Sequence, residues 1–182
     1  MNDNDFMREA LLEAAASRDA GDWAVGCVIV LGDEVVLRGR NRVYSASDRL
    51  KHAEMDALAQ LQALNFDRTK KDKLTLYTTF EPCPMCFGAI LVSGINHVVS
   101  GVDFDDSGIS SYIEYLPRFF RHPKYETTFK TGVLARDCAE MWLSGAPAKA
   151  VIEQGYILPK SIDELQNDDI VNYTTPSMNE LD

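Results

Sequence analysis

The sequence predicts an α/β sandwich, one sheet of five strands with helices on both faces. Three observations carry that expectation. Short apolar runs rich in β-branched residues alternate along the chain with segments of helical periodicity. The chain has 182 residues, 46% of them hydrophobic, enough for one domain with a sizeable core. No apolar run approaches the roughly 20 residues that span a bilayer.

The elements follow in order. Residues 5–19 place Phe6, Ala10, Leu11, Ala14 and Ala15 on one helical face, with Asp5 as the expected cap and Gly21-Asp22 as the stop. Val25 to Leu31 is nearly all apolar and reads as a buried strand. Gly32-Asp33 signals a turn, and Glu34 to Arg40 alternates like the returning arm of a hairpin. Residues 43–51 form a polar loop. A second helix opens at His52 and runs to about Asn65, with Met55, Leu58, Ala59 and Leu61 inward. A basic loop over 66–73 leads to a strand, Leu74 to Thr79. A third helix starts at Cys83 and ends near Gly94. His97 to Gly101 is the fourth strand, a short helix is expected around Ser111 to Phe120, and Thr128 to Val133 is the fifth strand. Leu134 to Leu143 is a helix closed by Ser144-Gly145. Residues 1–145 are thus one domain. Residues 146–182 are richer in Gly, Pro, Asn, Asp and Ser, and read as an extension docked to about Pro159 with a frayed or partner-bound tail.

The formal net charge is −10. Residues 1–145 hold 21 acids and 16 bases and residues 146–182 hold 7 and 2, so each part carries −5. An acidic total disfavours a nucleic-acid partner, which normally meets a basic face. A local excess between Arg38 and Lys73, nine bases against five acids, reads as solvated surface. The acidic N-terminus argues against a signal peptide. Reduced thiols in a C-x-x-C pair argue for a cytoplasmic setting without a membrane. Cys27 and Cys138 read as small buried hydrophobes.

The chemistry is concentrated in His52-Ala53-Glu54 and Pro82-Cys83-Pro84-Met85-Cys86. Zinc favours tetrahedral nitrogen and sulfur donors, and a catalytic site keeps one position for water. His52, Cys83 and Cys86 supply three ligands for one Zn2+ per chain. Residues three apart on a helix share a face, and a helix N-terminus favours thiolates. Pro82 and Pro84 suit that boundary because a first turn tolerates a missing N–H. Zinc lowers the pKa of a water it holds towards 7, and Glu54, two residues past His52, is placed to move that proton. A structural zinc site needs no such carboxylate. C-x-x-C alone is a weak signal; the joint pattern is specific.

With these motifs the chain resembles the cytidine deaminase-like superfamily, zinc enzymes with an H-x-E…P-C-x-x-C signature. His52 to Leu58 and Glu81 to Ile90 are most similar to its branch of guanine and guanosine deaminases, fungal-type cytosine deaminases and tRNA adenosine deaminases. The resemblance spans about Phe6 to Leu143. It implies a three-layer α/β/α sandwich with a mixed five-stranded sheet, and a homodimer. It implies His52, Cys83 and Cys86 as zinc ligands, Glu54 as the catalytic proton shuttle and Asn41 as a substrate-binding residue, although an Asn after a strand is also an ordinary turn residue. By the same analogy the backbone of Val25 and Gly26, with Ala53, lines the base pocket. Gly26 would let a planar ring approach the chain.

The branch is less plain. His122-Pro123, Thr131 to Ala135 and Cys138-Ala139 resemble bacterial tRNA adenosine deaminases. Val102-Asp103-Phe104-Asp105-Asp106 is acidic where that group is basic. Leu76 to Thr79 is similar to fungal cytosine deaminases, and an added C-terminal segment suits enzymes whose tail closes over a free base. Phe104, Tyr112, Tyr115, Phe119, Phe120 and Tyr125 read as core or interface rings, one of them stacking on a base. Arg118, Arg121 and Lys124 read as solvated, His97 and His122 as structural, and Trp23 and Trp142 as core or interface. The function expected from this balance is a hydrolytic deaminase of a free nucleobase or nucleoside, a guanine- or cytosine-like small-molecule amino heterocycle, releasing ammonia. The alternatives are a tRNA adenosine deaminase producing inosine, with a basic groove at its mouth, and a non-catalytic zinc-stabilised interaction module.

Overall fold

The computed structural model describes residues 1–63, 73–102, 108–109, 113–155, 162–167 and 170–175. Helix α1 (Asp3–Asp19) starts at Asn2 rather than Asp5. The Asn2 side chain accepts from the Asp5 N–H at 3.0 Å, and the Asp5 carboxylate returns a bond to the Asn2 N–H at 3.0 Å. This is a reciprocal capping box that satisfies two free N–H groups. Strands β1 (Gly26–Leu31) and β2 (Glu34–Arg40) form the hairpin, turned at Gly32 with φ 62°. Its register slips between Ile29 and Val30, a bulge that bends the pair. Then follow α2 (Ala53–Ala63), β3 (Leu74–Phe80), α3 (Pro84–Ser93), β4 (His97–Val102), β5 (Thr128–Thr131), α4 (Ala135–Ser144), α5 (Ala146–Glu153) and β6 (Val171–Thr174).

The sheet order is β2-β1-β3-β4-β5-β6. β3, β4 and β5 are mutually parallel, and the remaining neighbours are antiparallel, so the sheet is mixed. It has six strands, not five. The sixth comes from the C-terminal segment, beyond Pro159, and pairs with β5 from Thr128↔Thr174 to Thr131↔Val171. Its residues Val-Asn-Tyr-Thr are mostly exposed at a sheet edge, so they lack the apolar alternation that marks a strand in sequence. Thr175 extends the join: its N–H donates to the Thr127 carbonyl at 3.1 Å and its hydroxyl accepts from the Thr127 N–H at 3.0 Å.

Alternation along β1 divides the core. Cys27 and Ile29 face α2 and α3, together with Leu76, Phe87, Ile90, Val98 and Phe129. Val28 and Val30 face α1 and α4, together with Phe6, Met7, Tyr77, Val99 and Trp142. Helices therefore cover both faces, the expected three layers. Two glycines set how closely they approach. A Cβ on Gly26 would collide with the Ala10 carbonyl and Ala14 N–H of α1, and one on Gly39 with the Ala53 carbonyl and Ala57 N–H of α2. That second contact sets Ala53 and Ala57 of α2 against the sheet. The buried residues of α2 are Ala53, Glu54, Ala57, Leu58 and Leu61, whereas Ala59, expected inside, is exposed and Met55 is half-buried.

Between β4 and β5 the expected helix is replaced by three single 3-10 turns, Ile113–Tyr115, Arg118–Arg121 and Pro123–Tyr125. Pro117 and Pro123 interrupt any longer helical hydrogen-bond run. Arg121 pins this segment, its guanidinium donating to the carbonyls of Leu116 at 2.7 Å and Glu114 at 3.2 Å. Among the described residues no helix is long and apolar enough to cross a membrane. The expectations for residues 66–72, for Phe104 and Tyr112, and for the acidic 103–106 stretch lie outside the described residues.

Candidate zinc centre

Two helix starts meet at the site. β3 ends at Phe80, and Glu81-Pro82 leads into Cys83, the N-cap of α3, with Pro84 following at the first helical position and Cys86 in the first turn. His52 directly precedes α2, and its carbonyl accepts the Asp56 N–H at 2.9 Å. The His52 Nδ1 lies 3.7 Å from Cys83 Sγ and 3.6 Å from Cys86 Sγ. All three ligand atoms fall within 4.8 Å of one another. A tetrahedral zinc holding nitrogen at about 2.0–2.1 Å and sulfur at about 2.3 Å separates those donors by about 3.6 Å. The donor set therefore fits zinc in both chemistry and spacing. Hydrogen bonds from Cys86 and His52 hold the Cys83 thiol down at about 4, while the bond to Cys83 and burial push Cys86 up. The surroundings thus favour the thiolate at Cys83, the form of cysteine that binds a metal.

Glu54, in the first turn of α2, is 3% exposed. Burial, more than any other influence, raises its carboxyl above the ordinary range, with the Cys83 charge adding; its backbone N–H, His52 and the Thr78 hydroxyl oppose this. Thr78, buried in β3, was not singled out by sequence. Its Oγ1 lies 3.0 Å from Glu54 Oε1 and 3.0 Å from the Phe80 carbonyl oxygen. The hydroxyl can donate to an ionised Glu54, or donate to the carbonyl and accept from a protonated Glu54. It serves both states of a group that moves protons. No local pattern flags Thr78, because its partner is a helix residue 24 positions away.

Asn41 is buried just past β2, and its Oδ1 accepts the Val43 N–H at 3.1 Å, which leaves the Nδ2 donors for another partner. Its N–H donates to the Val25 carbonyl at 3.0 Å, tying the two strand ends together. Val25 is half-buried, and Ala53 is fully buried with its carbonyl against Gly39. The missing Cβ of Gly26 faces α1, so its small size serves helix packing; its N–H donates to Thr79 Oγ1 at 3.1 Å. A cavity of about 510 Å³ opens beside the ligand cluster, lined by Trp23, Val43, Tyr44, Ser47, Arg49 and His52. Phe119, Phe120 and Tyr125 cluster with one another in the 3-10 segment, and Phe120 and Tyr125 pack onto the core. Trp142 stacks on Trp23 at 5.7 Å and 16°, and also meets Phe80.

Residues 1–102, more than half of the chain, match the family described as the cytidine and deoxycytidylate deaminase zinc-binding region. A tRNA-specific adenosine deaminase of Streptococcus pyogenes serotype M1 is 35% identical over 137 residues, 75% of this chain and 78% of the relative. A solved structure from a study of A-to-I editing by tRNA:A34 deaminases at the wobble position of transfer RNA aligns with a TM-score of 0.63 and 30% identity, covering 75% of this chain and 98% of that one. Guanine deaminase from Bacillus subtilis aligns with a TM-score of 0.52 and 32% identity, covering 58% of this chain and 68% of its own.

These matches correct the free nucleobase or nucleoside expected as substrate. The sequence relative, 35% identical, carries the name of a tRNA enzyme, and the tRNA deaminase structure is matched over more of the chain than the Bacillus subtilis guanine deaminase is. Total charge averages over the whole chain and does not locate charge at the site. Half of the acidic excess lies in residues 146–182. Arg38, Arg40 and Arg42 lie in ion pairs with Glu9, Glu13 and Asp56, and the cavity at His52 is lined by Arg49 instead.

Proposed function

This chain belongs to the zinc-binding cytidine and deoxycytidylate deaminase family, and we propose that its reaction is the hydrolytic deamination of an adenosine in a tRNA loop, producing inosine and ammonia. The reaction class rests on one observation, a buried carboxylate beside a His-Cys-Cys cluster of zinc spacing. The substrate rests on the tRNA-specific relative. His52, Cys83 and Cys86 would hold the metal, which when bound would supply Lewis acidity and lower the pKa of a water. Glu54 takes the proton of the attacking water and passes it to a ring nitrogen. It then carries a second proton to the departing amine, as the carbon–nitrogen bond breaks and the water oxygen stays on the ring. Thr78 holds the carboxylate through both transfers. Asn41 Nδ2 orients the base, beside the backbone of Val25 and Gly26 and the start of α2 at Ala53.

The test is inosine formation in an anticodon stem-loop bearing one adenosine, run beside free adenosine, guanine and cytosine. Turnover of the RNA is expected. Release of ammonia from guanine or cytosine with the RNA untouched would overturn the substrate. The same reading carries a homodimer. Met55, Ala59 and Val92 (66% exposed) form an apolar strip between α2 and α3 that a second copy would cover. Light scattering that reads the mass of a single chain at micromolar concentration would sink it.

A further inference from the structure

The cavity beside His52 is walled in part by Trp23, Tyr44 and Arg49, which have no role in the reaction proposed above. We infer that this wall, formed by Trp23, Tyr44 and Arg49, is a subsite for the nucleotide next to the reacting one, stacking its base and meeting its phosphate. The inference rests on the tRNA reading above.

Tyr44 is 55% exposed, yet its backbone is fixed. The buried Asp22 carboxylate accepts the Tyr44 N–H at 2.6 Å and the Ser45 N–H at 3.0 Å. The loop folds on itself through Ala46 N–H to Arg42 carbonyl (2.9 Å), Ser47 N–H to Tyr44 carbonyl (3.1 Å) and Asp48 N–H to Val43 carbonyl (3.1 Å). Ser47 holds a left-handed φ of 52°, a conformation uncommon for serine, within this hydrogen-bonded loop. Trp23 is fixed from behind by its stack on Trp142. An exposed ring held on a hydrogen-bonded loop is a stacking platform whose ordering cost is met before a ligand arrives. Nothing in the packing of the core requires it.

Arg49 supplies the charge. Arg38 and Arg40 pair with Glu9 and Glu13, and Arg42 with Asp56 at 3.4 Å. Arg49 is exposed, and among the described residues no hydrogen bond or ion pair engages its guanidinium. A free guanidinium beside two rings matches one nucleotide, its flat base and its phosphate. At about 510 Å³ the cavity falls in the range of small-ligand sites, about 300–1,000 Å³.

The phosphate could belong to a neighbouring nucleotide or to the reacting nucleotide itself, and the experiment separates the two. Wild-type, Tyr44→Ala, Tyr44→Phe and Arg49→Ala proteins, each checked for zinc content, are assayed on three RNA stem-loops and on AMP. One loop is intact; the other two lack the base on the 5′ or the 3′ side of the target adenosine. Tyr44→Ala is expected to lower kcat/KM on the intact loop roughly tenfold or more, Tyr44→Phe to restore it, and one abasic loop to erase the difference between Tyr44→Ala and wild type. Arg49→Ala is expected to reduce the salt dependence of RNA turnover by about one charge. If the Tyr44→Ala loss persists on both abasic loops, or if Arg49→Ala harms AMP as much as RNA, the subsite belongs to the reacting nucleotide and the inference fails. Variants indistinguishable from an RNA-active wild type also overturn it. A wild-type protein inert on every RNA removes the tRNA reading instead, and the subsite with it.

Discussion

Replacing Glu54 with glutamine is expected to leave folding and zinc content unchanged while lowering turnover by about 10²–10⁴-fold, the usual worth of a positioned acid–base group. Glutamine fills the same buried volume, and its amide oxygen can still accept from Thr78, so neither packing nor the hydrogen-bond account of the site is disturbed. What it cannot do is take up a proton. Burial raises the Glu54 carboxyl, which brings the base nearer to working pH and makes its second task, donating to the amine, easier. Thr78→Val is expected to cost less, about tenfold in kcat with KM little changed, and Thr78→Ser to recover most of it, because a hydroxyl and not a methyl is what holds the carboxylate. Steady-state kinetics paired with metal analysis check both. A Glu54→Gln protein with wild-type kcat would remove the carboxylate from the mechanism.

Cys86→Ala is expected to empty the metal site and end activity. Cys86 is fully buried at the first turn of α3, within 3.6 Å of the His52 nitrogen, and an alanine there offers no donor. Two remaining ligands do not hold zinc at the affinity of three. Losing a ligand present at 1,000 times its Kd removes about 4 kcal/mol of stability, which for a chain of this size corresponds to a fall in Tm of roughly 10 °C. Chelation of the wild-type protein is expected to reproduce both losses, and Cys138→Ala, buried in the opposite layer, to keep its zinc. Metal analysis showing one zinc per chain in Cys86→Ala would refute the ligand set.

The amino-acid sequence by itself determined most of the elements before β5 and the donors of the candidate metal cluster. Short-range periodicity marks β1, β2, β3, α3 and β4 to within a residue or two. Cys83 and Cys86 stand three apart at a helix start, so their convergence is a local consequence of helical geometry. His52 and Glu54 were legible for a similar reason, as two positions of one helix entry. What the tertiary structure alone decided depends on groups distant in the chain. β6 is a strand only because β5, some forty residues earlier, offers an unpaired edge. Ala59 is exposed because the face of α2 that packs at Gly39 is that of Ala53 and Ala57. Thr78 reads as one more strand residue until Glu54 is folded against it, and Tyr44 as loop polarity until Asp22 holds its backbone at the cavity that His52 lines. Local patterning encodes which backbone forms; contacts across the fold decide which side chains meet, and the net charge of the chain carries no record of where its arginines remain free.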